Sequence, residues 1–170
     1  EFAHMSVMAS TAVIPEQTGI WVVNSNNNSQ NENAVASVNA MLNRMYLSGR
    51  IDLLRQEDFN SLKTAVNIYK SIRYDLIGSA PIFPCGTCNS ESEWMVGGRI
   101  CGEGKIIYLT AVNLKDELGQ KRISIKELVG KKYCAEILYP SNVGEVLLDG
   151  DVLNVNTPPK SGLLIKLNLQ

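Results

Sequence analysis

The sequence predicts a mixed fold, a short β/α segment followed by an all-β antiparallel sandwich. Three observations carry this. Before Gly78, apolar residues recur at three- and four-residue steps, the period of helices; after it they come in short runs separated by turn residues. At the seam lies Pro81-Ile-Phe-Pro-Cys-Gly-Thr-Cys-Asn-Ser-Glu-Ser-Glu-Trp-Met-Val-Gly-Gly98, a proline-bracketed turn that leads into a tryptophan-centred strand. Further on, Asp149-Gly150 between two apolar runs is a strong signal for a two-residue hairpin.

The elements follow in order. Residues 7–14 are small and apolar and read as a buried strand of the parallel type, which Pro15 and Gly19 end. Residues 24–33 are almost wholly Asn, Ser, Gln and Glu, a composition that reads as an exposed loop. Val35, Val38, Met41, Leu42 and Met45 share one face of a helix that Asn31 or Asn33 can cap. Residues 46–52 read as a strand or as a continuation of that helix, ended by Gly49. Residues 56–73 give the clearest helix: Phe59, Leu62, Ala65, Val66, Tyr69 and Ile72 recur on one face. Asp58 in its first turn, with Lys70 and Arg73 in its last, suits the helix dipole. Strand, helix, strand, helix is a β/α repeat. Beyond Gly78, strands are expected near 93–100, 105–112, 121–125, 132–139, 143–148, 152–155 and 162–169. Two domains follow, residues 1–76 and residues 77–170.

Composition removes several function classes. Sixteen Lys and Arg stand against seventeen Asp and Glu. A net charge of -1 gives no basic surplus for phosphate backbones, so nucleic acid is not an expected partner. No apolar run approaches the roughly 18 residues of a membrane span, and no charged-then-apolar leader opens the chain. A membrane partner is therefore not expected, and a cytoplasmic location is. Residues 1–5 read equally as a cloning remnant or as native sequence. Of the four cysteines, at 85, 88, 101 and 134, only Cys85 and Cys88 form a close pair. A zinc ribbon wants a second such pair, and a redox pair should open a helix. Free thiols, no metal and no cofactor are the expectation. The glycines from Gly97 to Gly104 lie between strands with no helix after them, so they read as a β-turn rather than a phosphate loop.

Several segments together resemble the C-terminal part of family 36 glycoside hydrolases, the α-galactosidase-like (melibiase-type) enzymes. Residues 11–21 resemble a barrel strand and loop whose pattern runs through Pro15, Gln17 and Gly19. Residues 39–52 resemble the next helix end and the last barrel strand, and residues 56–73, closing on Ile68-Tyr-Lys-Ser-Ile-Arg73, the last barrel helix. Pro81 to Gly98 resembles the passage into the C-terminal domain; Tyr139-Pro-Ser141 and Pro158-Pro-Lys-Ser-Gly-Leu-Leu-Ile-Lys-Leu167 resemble its final strands. The chain departs from the pattern at Cys85 and Cys88, where apolar or proline residues belong, and in its Asn-rich loop.

The resemblance implies that residues 1–76 are the last β/α units of a TIM-type barrel. It implies a retaining enzyme with two aspartates on earlier barrel strands, one attacking the anomeric carbon and the other serving as acid, then base. Neither position falls in this chain. No catalytic residue is assigned, and the chain alone is expected to be inactive on the α-galactoside-type carbohydrate of the intact parent. Glu16 and Gln17, taken to follow a barrel strand, either line the sugar pocket or cap a loop. Trp21 either stacks on a sugar ring or packs beside Ile20 and Val22. Trp94 reads as strand packing, Asp52 as a solvated strand-end carboxylate, and His4 has no partners for a site. Two other functions stay open. One is a stand-alone sugar-binding sandwich with Trp94, Tyr108, Tyr133 and Tyr139 as its platform, although only 6% of residues are aromatic. The other is an assembly module, self-associating through the exposed barrel remnant.

Overall fold

The computed structural model describes residues 3–170; Glu1 and Phe2 lie outside the described residues. The chain is a β/α segment followed by an antiparallel sandwich. It runs α1 (Ala3–Met8), β1 (Gly19–Val23), α2 (Gln30–Ala40), β2 (Arg44–Ser48), α3 (Gln56–Ile72) and then eight strands. These are β3 (Ala80–Ile82), β4 (Trp94–Cys101), β5 (Ile106–Asn113), β6 (Gly119–Ser124), β7 (Tyr133–Tyr139), β8 (Glu145–Asp149), β9 (Val152–Thr157) and β10 (Ser161–Leu169).

Four layers result. β1 and β2 form a parallel pair. Behind it lie the helices, then a five-stranded sheet in the order β3-β4-β5-β10-β7, then a three-stranded sheet in the order β6-β9-β8. The five-stranded sheet is covered on both faces. Ile107, Leu109 and Ala111 of β5 meet the three-stranded sheet, while Tyr108 and Val112 meet the helices. On β10, Leu163, Ile165 and Leu167 face one way and Leu164 the other. This is why 163–165 is an unbroken apolar run. β8, open to solvent on one side, alternates in the ordinary period-two manner.

Missing side chains let the layers approach. A Cβ on Gly162 would meet Val112, Val35 and Val38 within 3.0–3.5 Å, so α2 lies close against β10 there. Val7 sits where a Cβ of Gly97 would be, which lets α1 rest on β4. α2 and the turn after it bury Val38, Met41 and Leu42, roughly 1.5–3 kcal/mol of transfer free energy for each side chain.

The run expected as a strand at 7–14 is α1 followed by a single 3₁₀ turn, Ala9–Thr11. Ala and Met favour helix, and Ser6 donates its hydroxyl to Ala3 O inside α1. The first strand is instead β1, where Trp21, Val22 and Val23 supply the aromatic and β-branched character of a strand. The Asn-rich stretch is not wholly loop, because α2 begins at Gln30. Its cap is Ser29, not Asn31 or Asn33: Ser29 Oγ accepts from Glu32 N, and Ser29 N donates to Glu32 Oε2, a capping box. Residues 44–48 settle as a strand. The hairpin at Asp149 and Gly150 joins β8 to β9 with Asp149 opposite Val152, and Gly150 takes the positive φ (60°) that the turn needs. No helix among the described residues is long and apolar enough to cross a membrane.

Candidate functional site

The parallel pair is the part of the molecule built differently from the rest. Gly19 to Val23 lie opposite Arg44 to Ser48 in register. Ile20, Val22 and Met45 turn toward the helices and form a small core with Ala40 and Leu62. The residues between them point outward. Trp21 is 69% exposed, Val23 50% and Tyr46 41%. The Tyr46 ring occupies the space a side chain at Gly19 would need, and the Arg44 guanidinium lies 5.3 Å from that ring's centroid. Among the described residues, neither outer edge of the pair is hydrogen-bonded to another strand. An aromatic face and two open edges are surfaces a folded chain ordinarily covers.

A polar clamp fixes the carboxyl end of the pair. Asn33, buried in α2, accepts from Ser25 N, donates to Ser25 O and donates to Asp58 Oδ1 at 3.0 Å. Asp58 is itself 1% exposed and pairs with Arg55 Nε at 2.5 Å through its other oxygen. Arg55 also donates to Asn28 O, and its backbone N–H donates to Asn26 Oδ1. The buried carboxylate thus has both a charge partner and a donor, as burial demands. The result is a stiff β1–α2 loop tied to the first turn of α3. Sequence reasoning placed Asp58 at a helix dipole and Asn33 at a cap; the long-range contact between them has no local signature.

At the opposite end, Glu16 and Gln17 stand in the 3₁₀ turn Pro15–Gln17 that leads into β1. They precede a strand rather than follow one, so they lie at the amino end of the pair. Gln17 is exposed. Glu16 Oε2 is buried with no hydrogen-bond partner, and its charge acts on Arg99. Arg99 is the largest unexpected feature of this region. It is 2% exposed, faces the helix layer from β4, donates from Nη2 to Ser10 Oγ at 2.7 Å and leaves Nε unpartnered. Burial lowers its pKa from the ordinary arginine value. Trp21 is not packed beside Val22 but stands out from it. The structure therefore brings Glu16 close to Gln17 by chain connection alone.

The remaining candidates are quickly placed. Asp52 forms an exposed pair with Arg50 at 2.7 Å. Trp94 packs against the sandwich core. Tyr108, Tyr133 and Tyr139 are buried, not exposed, and each hydroxyl is engaged: with Asp75 Oδ2 at 2.6 Å, with Gly104 O, and with Ser61 Oγ at 2.8 Å. They cannot form a stacking platform. The four cysteines are free thiols; burial pushes that of Cys101 up to about 11. Among the described residues no three His, Cys, Asp or Glu side chains gather into a metal site.

No family model matches the sequence, and no curated protein matches it. Solved structures do. The galactosidase domain of the α-galactosidase–sucrose kinase AgaSK aligns over 99% of this chain and 25% of its own, with a TM-score of 0.66 and 12% identity. α-Galactosidase I from Mortierella vinacea aligns over 95% of this chain and 42% of its own (TM-score 0.65, 10% identity). A GH27 β-L-arabinopyranosidase from Geobacillus stearothermophilus, solved in complex with arabinose, aligns over 96% and 40% (TM-score 0.64, 10% identity). The likeness is one of fold, shared with α-galactosidases and a GH27 enzyme. The chain spans about a quarter to two fifths of the length of these proteins.

Proposed function

We propose that these residues are the C-terminal part of an α-galactosidase-like retaining glycoside hydrolase of family 36. Residues 1–76 supply the last β/α units of its TIM-type barrel, and residues 77–170 form the sandwich that braces them. The observation that carries this reading is the parallel pair. In a barrel each strand is paired on both sides, and inward side chains fill the interior in layers. β1 and β2 offer open edges and an open aromatic face, while their other face is locked onto the helices. Such a pair is a segment of a closed sheet, and the α-galactosidases of like fold lend the class of enzyme.

The role of the chain is support and positioning. A retaining glycosidase needs two carboxyl groups about 5 Å apart across the scissile bond. Both belong to strands that precede β1, so this chain brings neither, and the intact parent is the protein that acts on an α-galactoside-type carbohydrate. Trp21 keeps the sugar-contact role, since its ring stands open on the barrel-facing side. For Glu16 and Gln17 the loop-capping reading is adopted. Incubation with an aryl α-galactoside is expected to release no phenol; turnover that survives removal of contaminating host enzyme would falsify the supporting role. The encoding reading frame checks the larger claim. Upstream β/α units carrying two strand-end aspartates are expected, and a stop codon just upstream would sink it.

A further inference from the structure

We propose that the cleft at the amino ends of β1 and β2 binds an oxyanion, a carboxylate or a phosphate, carried on a ring. The cleft holds about 370 Å³, within the usual range for small-molecule sites. The turn before β1, the start of β2, the last turn of α3 and the turn that follows α3 line it.

Its charge is unbalanced. Arg44 and Arg73 both line it, and among the described residues neither has a carboxylate within 4.0 Å. Glu16 is the one acid in the walls, and it holds one oxygen buried behind the surface while its charge acts on Arg99. Each guanidinium is also laid against a tyrosine ring, Arg44 at 5.3 Å from the Tyr46 centroid and Arg73 at 4.8 Å from that of Tyr74. Stacking narrows the orientations these long side chains would lose on binding. A planar guanidinium fork matches two oxygens of a carboxylate or phosphate. Beside it, Tyr74 is 66% exposed and Ile77 59%. Together they form an apolar face for a ring next to the charge.

The test titrates the whole chain with inorganic phosphate, glucuronate and glucose, following the side-chain Nε–Hε signals of Arg44 and Arg73 by NMR. Both anions are expected to shift both signals and to compete, while neutral glucose shifts neither. Arg44→Gln and Arg73→Gln, both at exposed positions, should fold as the parent and each weaken glucuronate binding about tenfold, the loss of one charge-assisted bond. The proposal is overturned if neither anion moves the signals, if glucose binds as well as glucuronate, or if both variants bind like the parent. None of these readouts depends on hydrolysis, so they stand apart from the assignment to glycosidases.

Discussion

At the scale of single residues, the buried Arg99 feels a carboxylate it does not touch. Arg99 has no carboxylate in contact and Glu16 has no donor on its buried oxygen; the charge of Glu16 raises the pKa of Arg99 by less than burial lowers it. Removing one partner strands the other in a poorly solvated place. Glu16→Gln is expected to lower unfolding stability, and Arg99→Met to cost less in that background than in the parent, with a coupling of about 1 kcal/mol in a double-mutant cycle by urea unfolding. Additive effects would exclude the coupling. The cap of α2 gives a second case. Ser29→Ala is expected to cost about 1 kcal/mol. The backbone N–H and hydroxyl of Ser29 hold the Glu32 carboxyl below its ordinary pKa. A lowered carboxylate pKa contributes stability above the unfolded value, and that contribution fades as pH falls through the folded one. The gap between parent and Ser29→Ala should therefore narrow between about pH 7 and about pH 3. A gap that widens in acid would contradict the capping role of the carboxylate.

At the scale of elements, close layer contacts rest on glycines, and they differ in how hard they resist change. A Cβ at Gly97 would press on the side chain of Val7, held on the six-residue α1 rather than on a sheet backbone. At Gly98 it would stand 2.8 Å from the backbone oxygen of Tyr108 and 2.5 Å from Leu109 Cδ2. Gly98→Ala should cost roughly 1–3 kcal/mol, and more than Gly97→Ala, in thermal or urea unfolding. Equal costs would mean that the sheet yields where the geometry says it cannot. The same scale shows what the sequence made legible. The strands after residue 93 were readable because Gly, Pro and Asp-Gly turns bound each of them, and because local chemistry decides a hairpin. β1 was hidden by the stronger apolar run just before it. That run mixes Val, Thr and Ile with Ala, Ser and Met, so propensity does not decide between helix and strand there; Ile20, Trp21, Val22 and Val23 hold the better strand signal. The polar residues of the clamp are less legible still. Asn33 looks like a loop or cap residue, and only the arrival of Asp58 from α3 makes it a buried one.

At the scale of the whole molecule, the parallel pair is the exposed surface that bears on behaviour in solution. Trp21, Val23 and Tyr46 are all more than 40% exposed and lie on one face of two neighbouring strands with free edges. The chain alone is expected to self-associate through this face. Sedimentation velocity should show dimers or larger species, and Trp21→Ser combined with Tyr46→Ser should shift the population toward monomer. A parent that stays monomeric at high concentration would argue that the open face is benign. A barrel would continue from the free edges of this pair and enclose the same face, so the assembly reading and the glycosidase reading meet on one surface. One is what the face does uncovered, the other what covers it.

The order of strands in the central sheet also has a consequence in time. β10 follows the nine other described strands in chain order, yet it lies between β5 and β7, pairs with both, and sends side chains into both large cores. Until it emerges from the ribosome, β5 and β7 have no common neighbour, and the layers on either side lack their shared wall. Pairings this distant along the chain close slowly. A growing chain must wait, with two half-built interiors open to chaperones and proteases, for this one strand. A chain cut short before Ser161 would be not a shortened domain but one bound for degradation.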